Sequence, residues 1–446
     1  MTAATYSRAP AGRSLGLGLA LLLALAACSD KDKPLPGERI PVRPEEEPVA
    51  GAARAHGLAI PPARVNADWS HRNGAAAGRL VNPAFRPVPQ LIWAVDIGAG
   101  DSKRARLLTG PIVAGGLVYA IDAAGQLTAV TRDGRIAWSR SLVPEGQVAD
   151  SGPGGGMAVA GGVLFVTTGF GEIVALSPST GGTIWRRTLE GPIRAAPVVD
   201  GVRVVAVQRD DTAFALDARN GETLWRVQGT GGTGLLGGAS PASDGKLVVI
   251  PFASGEVLGV LARNGLTVWG TAVTGGRREF ARNDINDISG DPVIDGSVVY
   301  ASNQSGRTIK LDATTGERTW TIQEGSYGPA WPVGGSVFLL SDLGALVRAD
   351  AATGELLWVV DLPTYFPYGG LFGRGKPFAA VPYYGPILAG GRLWVASGDG
   401  WLRAFGPVDG ALLAQVELPG GAAAAPAIAG GVMYIATREG RLLAFQ

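Results

Sequence analysis

Residues 312–320 read "DATTGERTW", residues 350–358 read "DAATGELLW" and residues 217–225 read "DARNGETLW". One turn and one terminal tryptophan are written three times. Aspartate bonds the backbone that follows it and starts a turn, and glycine supplies the positive φ that ends it. Working outward, Trp138, Trp185, Trp225, Trp269, Trp320 and Trp358 recur roughly every 40 to 50 residues, the spacing of propeller blades. In residues 291–320, "DPVIDGSVVYASNQSGRTIKLDATTGERTW", a proline-led strand precedes a turn at Asp295 and Gly296. The strand "SVVYAS", a turn at Ser305 and Gly306, the strand "TIKLD" and the tryptophan strand follow. The apolar period is two, as half-buried strands require, and no segment holds a helical period for three turns. A flat indole on the outermost strand can wedge between twisted sheets, removing on the order of 150–250 Å² from water.

The count of units decides the topology. After Trp358 a seventh unit, residues 385–418, carries Ala414 where the tryptophan belongs. An eighth, residues 424–446, supplies three strands. Its fourth is "LIWAVDIG", residues 91–98, with Trp93 in the repeat position. The expected fold is therefore all-β: an eight-bladed β-propeller of four-stranded antiparallel blades, closed by pairing of the N-terminal strand with the C-terminal blade. A seven-bladed ring is the alternative, should the unit lacking its tryptophan be misread.

Composition supports a large core. Hydrophobic residues make up 46% and charged ones 17%, and the 68 glycines punctuate short apolar runs without a collagen period. A net charge of +1 gives no electrostatic reason to expect nucleic acid or an anionic surface as partner. The single cysteine, Cys28, excludes an intrachain disulfide and a thiolate metal cluster.

Cys28 ends an apolar run, residues 15–28, preceded by Arg8 and Arg13. The run suits a signal-peptide core and is short for a membrane span. Its end, Leu25-Ala26-Ala27-Cys28, resembles the lipobox of bacterial lipoproteins, which implies cleavage before Cys28 and lipid on that residue. Ser29 in place of aspartate then points to the outer membrane, with Asp30 pulling the other way. Residues 28–64, rich in proline and mixed charge, read as a flexible tether, and residues 65–446 as the propeller.

Catalytic signals are weak. His56 lies in the tether and His71 before the first strand, so neither is placed for a triad or a metal cluster. Residues 151–162, "SGPGGGMAVAGG", lack the lysine and helix of a phosphate loop. Residues 284–291, "DINDISGD", offer oxygen ligands but miss the EF-hand spacing. No catalytic, cofactor-binding or metal residue is therefore assigned. The longest inter-blade segments are 226–240, 270–291 and 359–385. In an antiparallel blade these all emerge on one face, where recognition usually sits. The second mixes Arg277, Arg278, Glu279, Arg282, Asp284 and Asp287, and the third is rich in tyrosine and phenylalanine. Apolar anchors with a charged rim describe a protein-binding surface.

The "D-A-x-x-G-x-x-x-W" units with their "G-x-V-Y" strands resemble the PQQ-like propeller repeat across nearly all of 91–446. With the lipobox, the chain resembles the outer membrane protein assembly factor BamB family. That resemblance implies a non-catalytic, monomeric lipoprotein subunit of the β-barrel assembly (BAM) complex. It would bind the periplasmic domain of BamA, assist barrel insertion and sit on the periplasmic face of the outer membrane. It also implies docking through a loop matched by Leu235, Leu236 and Gly237, where Leu236 replaces the family's arginine. A second loop is matched by Glu279, Arg282, Asp284 and Asp287. The competing reading is a PQQ-dependent dehydrogenase or quinone-binding propeller. Against it stand the missing cysteine pair and the missing haem-attachment motif.

Overall fold

The computed structural model describes residues 56–446 except 103–104, 153, 232–237, 276, 278–284, 286 and 368–377. Eight four-stranded antiparallel sheets form the blades. Blades 1 to 7 span residues 112–141, 155–188, 198–228, 242–272, 288–322, 331–361 and 383–417. Blade 8 takes three strands from 427–445 and its outer strand from Leu91–Asp96, with Trp93 opposite Ala444 and Asp96 opposite Arg441. Gln90 and Gln446 exchange backbone hydrogen bonds of 2.8 and 2.9 Å at this junction. The seven-bladed alternative is thereby excluded. A separate hairpin, Tyr365–Pro367 with Phe378–Ala380, stands between blades 6 and 7.

The repeated turn works as its residues suggest. Asp312 Oδ1 accepts from the amides of Thr314 and Thr315, both at 2.9 Å, and Gly316 closes the turn at φ +72°. The tryptophan of each blade then latches the next blade's turn. Trp138, Trp185, Trp225, Trp269, Trp320 and Trp358 donate their indole N–H to carbonyls of Pro178, Ala218, Ala262, Ala313, Ala351 and Val408, and Trp93 to Arg132. Under each indole lies the turn glycine. A Cβ on Gly316 would meet the Trp269 ring 2.6 Å away, so the motif's glycine serves both φ and packing. Every outer strand also carries a register shift near the tryptophan position, a bulge that re-aims the ring between sheets.

The latch explains Ala414. A tryptophan there would face blade 8, whose third and outer strands come from opposite ends of the chain and share no turn. Without that turn the indole has neither carbonyl nor glycine to meet.

Residues 56–90 do not divide at Arg64 into a tether and a propeller. They wind once around the hub, on the side where each inner strand turns into the second. His56 O accepts from Arg348 of blade 6, and Asn66 bonds Ile428 and Gly430 of blade 8. Trp69 exchanges backbone bonds with Val113 of blade 1, and Ser70 O accepts from Val159 of blade 2. His71 meets Val199 of blade 3, Ala76 meets Ser243 of blade 4 and Ala77 meets Ile294 of blade 5. Val81 O accepts from Trp331 of blade 6, and Pro83 O from Gly390 of blade 7. This plug reaches all eight blades. Residues 56–64, read from the sequence as tether, are therefore part of the folded body. Backbone amides at the end of short inner strands need partners, and the strap supplies them for Val113, Val159, Val199, Ser243 and Ile294.

Candidate partner-docking site

On the face opposite the plug, where the inter-blade connections emerge, the described residues leave the hub concave. Its cup is lined by Arg72, Asp291, Tyr327, Trp331, Tyr383 and Tyr384. Burial pushes the Tyr384 hydroxyl above its ordinary range. The cup's ionisable groups are engaged with one another. Asp291 accepts from Asn73 at 2.6 Å and the Ser240 amide at 2.7 Å, and pairs with Arg72 at 3.3 Å. His71 is buried against the Val199 backbone and Ser70, and desolvation lowers its pKa to about 4. Ser70 Oγ and His71 Nδ1 lie 2.9 Å apart, but His71 is buried and its Nε2 is taken up by the Val199 backbone. Among the described residues, no group of three or more His, Cys, Asp or Glu could hold a metal ion.

The described ends of two connections, blade 3 to 4 (229–241) and blade 4 to 5 (273–287), meet at Arg194, through Gly238 and Asp287. Arg277 begins the second. Its guanidinium reaches Glu324 at 3.0 Å, Asp342 at 3.1 Å and the Gln323 carbonyl at 2.7 Å, bridging blades 5 and 6. Asp287 ends it. This residue was expected to face a partner, but it is 2% exposed and takes a 2.5 Å hydrogen bond from Arg194. Its side chain therefore points inward and anchors the loop base. Leu235, Leu236, Gly237, Glu279, Arg282 and Asp284, and Cys28, expected to carry lipid, lie outside the described residues.

Arg194 escaped the sequence reading. It stands in "GPIRAAP", residues 191–197, on the connection into blade 3, with its side chain 4% exposed. Besides Asp287 it lies 3.9 Å from Asp211, whose carboxylate accepts from the Ala253 and Ser254 amides of blade 4. Asp211 holds φ +60°, rare for a residue with a side chain and sustained here by those bonds. Gly238, ending the blade 3 to 4 connection, rests against Arg194 so closely that a Cβ would meet the arginine's own at 2.4 Å. The Gly238 carbonyl accepts from Arg72 of the plug at 2.9 Å. A lone arginine just ahead of an inner strand was the available signal. Its partners lie far off in sequence, so the signal was silent without the fold.

An eight-bladed ring of this repeat defines the chain as a PQQ-type β-propeller. The profile described as outer membrane protein assembly factor BamB matches residues 132–360 and 342–446, and the chain belongs to that family. It is similar to BamB of Salmonella typhimurium, 26% identical over 362 residues, covering 80% of this chain and 88% of that protein. BamB of Alteromonas naphthalenivorans is 28% identical over 269 residues, 56% of this chain and 63% of that one. A Rickettsia conorii protein is 32% identical over 124 residues, where the match spans 30% of its length. Among solved structures, BamB of Moraxella catarrhalis aligns with TM-score 0.64 at 21% identity, over 80% of this chain and 100% of that one. A europium-containing methanol dehydrogenase aligns with TM-score 0.62 at 16% identity, over 83% and 89%. Both structural likenesses are likenesses of fold.

Proposed function

We propose that the chain is a lipid-anchored, non-catalytic scaffold of the β-barrel assembly complex. In this reading it binds the periplasmic domain of BamA and assists barrel insertion into the outer membrane. Cys28 carries the lipid, and the blade 3 to 4 and blade 4 to 5 connections carry the docking residues Leu235, Leu236, Gly237, Glu279, Arg282 and Asp284. Asp287 sets the geometry of the second connection from beneath.

The observation that supports this most is the pairing of family membership with a blade 4 to 5 connection tied down by buried ion pairs, beside a blade 3 to 4 connection held at Gly238 and Ser240. A buried ion pair adds little net stability but fixes geometry, which is what a docking loop needs. The occupied hub argues in the same direction, because Arg72, Asn73 and Asp291 spend their polar groups on each other. The test is a pull-down of the full-length protein from detergent-solubilised membranes with identification of what is bound. BamA is the expected partner, and its absence from the bound fraction contradicts the reading.

A further inference from the structure

We propose that Arg194 is a positioning residue that couples the two connections, so that they offer their partner one surface instead of two independent loops. This rests on the docking reading above and deepens it. Three observations carry it. The guanidinium, buried on the connection into blade 3, hydrogen-bonds Asp287, the last anchored residue of the blade 4 to 5 connection. The stem of the same side chain fills the space under Gly238, the first described residue after 232–237 in the blade 3 to 4 connection. The same guanidinium lies 3.9 Å from Asp211, which holds the neighbouring turn of blade 4 through the amides of Ala253 and Ser254.

One side chain therefore meets the ends of both loops, and it comes from a third segment. Neither loop can shift its base without disturbing Arg194. A charge pair at 4% and 2% exposure has no water to replace a lost partner, so the arrangement is close to all-or-none. Gly238 tightens the link, since any larger residue would collide with the arginine stem. The buried cation beside Asp287 comes from outside both loops.

The experiment uses the full chain and reads two quantities. Amide hydrogen exchange is followed across 229–240 and 274–288, and affinity is measured for the solubilised BamA partner. Arg194→Met keeps the stem against Gly238 and removes the charge. It is expected to raise exchange in both segments together, and to weaken binding by about tenfold or more. Arg194→Lys, which restores the charge without the planar fork, is expected to recover part of both effects. Arg219→Ala, which removes an exposed arginine paired with Asp217, serves as control and should change neither. Should Arg194→Met fail to fold, Asp287→Leu, which removes the acceptor at similar volume, breaks the same link and is expected to give the same paired response. Exchange that rises in only one segment, or in neither, overturns the coupling. If both segments respond together while the wild-type chain does not bind BamA, the coupling stands and the docking reading falls.

Discussion

The indole N–H of Trp358 donates to the carbonyl of Val408 at 3.0 Å, tying blade 6 to the turn of blade 7. The same position one blade later is Ala414, opposite the one blade whose outer strand arrives from the other end of the chain. Replacing a latched tryptophan should therefore be costly and adding the missing one should not help. Trp225→Ala, at a residue 7% exposed, is expected to cost about 3–5 kcal/mol. Ala414→Trp is expected to leave the melting temperature unchanged or lower. Thermal melting checks both, and a stabilising Ala414→Trp would contradict the latch.

The plug should behave as a structural member. Trp69 is fully buried and bonds Val113 in both directions, at 2.7 and 2.9 Å. Trp69→Ala is expected to destabilise the ring by about 3–5 kcal/mol. It should also expose residues 56–90 to limited proteolysis before the blades are cut. A variant that melts like the wild type would show the strap to be dispensable.

His71 links the plug to pH. Its pKa falls from 6.5 to about 4 on folding because burial disfavours the imidazolium. The unfolded chain thus binds the proton more readily. Stability from this residue is present above pH 6.5 and is lost as pH falls towards 4. The loss amounts to about 3 kcal/mol at most. His71→Gln should flatten the stability profile across that window, and an unchanged slope would locate the effect elsewhere.

How much of this was legible depends on whether a feature repeats. The tryptophan spacing, the aspartate–glycine turn and, by analogy with them, the strand at 91–98 could be read because one packing problem is solved seven times over. Even Ala414 was visible as an exception, although its cause needed the strand topology. The plug was illegible for the opposite reason. Residues 56–90 make a different contact with every blade, largely through backbone atoms, so no side-chain period marks them. Arg194 and Asp287 are 93 residues apart, and nothing local distinguishes a buried arginine in a connection from a solvated one. Asp287 was singled out for its charge and its place in the loop, but its direction, inward, is decided by Arg194.

Lipid attachment has a direct test. Cys28→Ala is expected to move the protein from the membrane to the soluble fraction, read by fractionation and immunoblot. Unchanged membrane association would remove the lipid assignment.

The quinone reading makes a separate demand. Added PQQ and calcium are expected to produce no dye-linked oxidation of alcohols or sugars, because the hub's polar groups are bound to one another. Robust turnover would promote that reading over the scaffold.

Docking through the two tethered connections is what the account most depends on. The measurement is co-purification with BamA of the full-length chain carrying Glu279 and Arg282 reversed in charge together with Leu235→Ala. Loss of the complex at an unchanged melting temperature is the expected result. Full retention of BamA by the triple variant would contradict it.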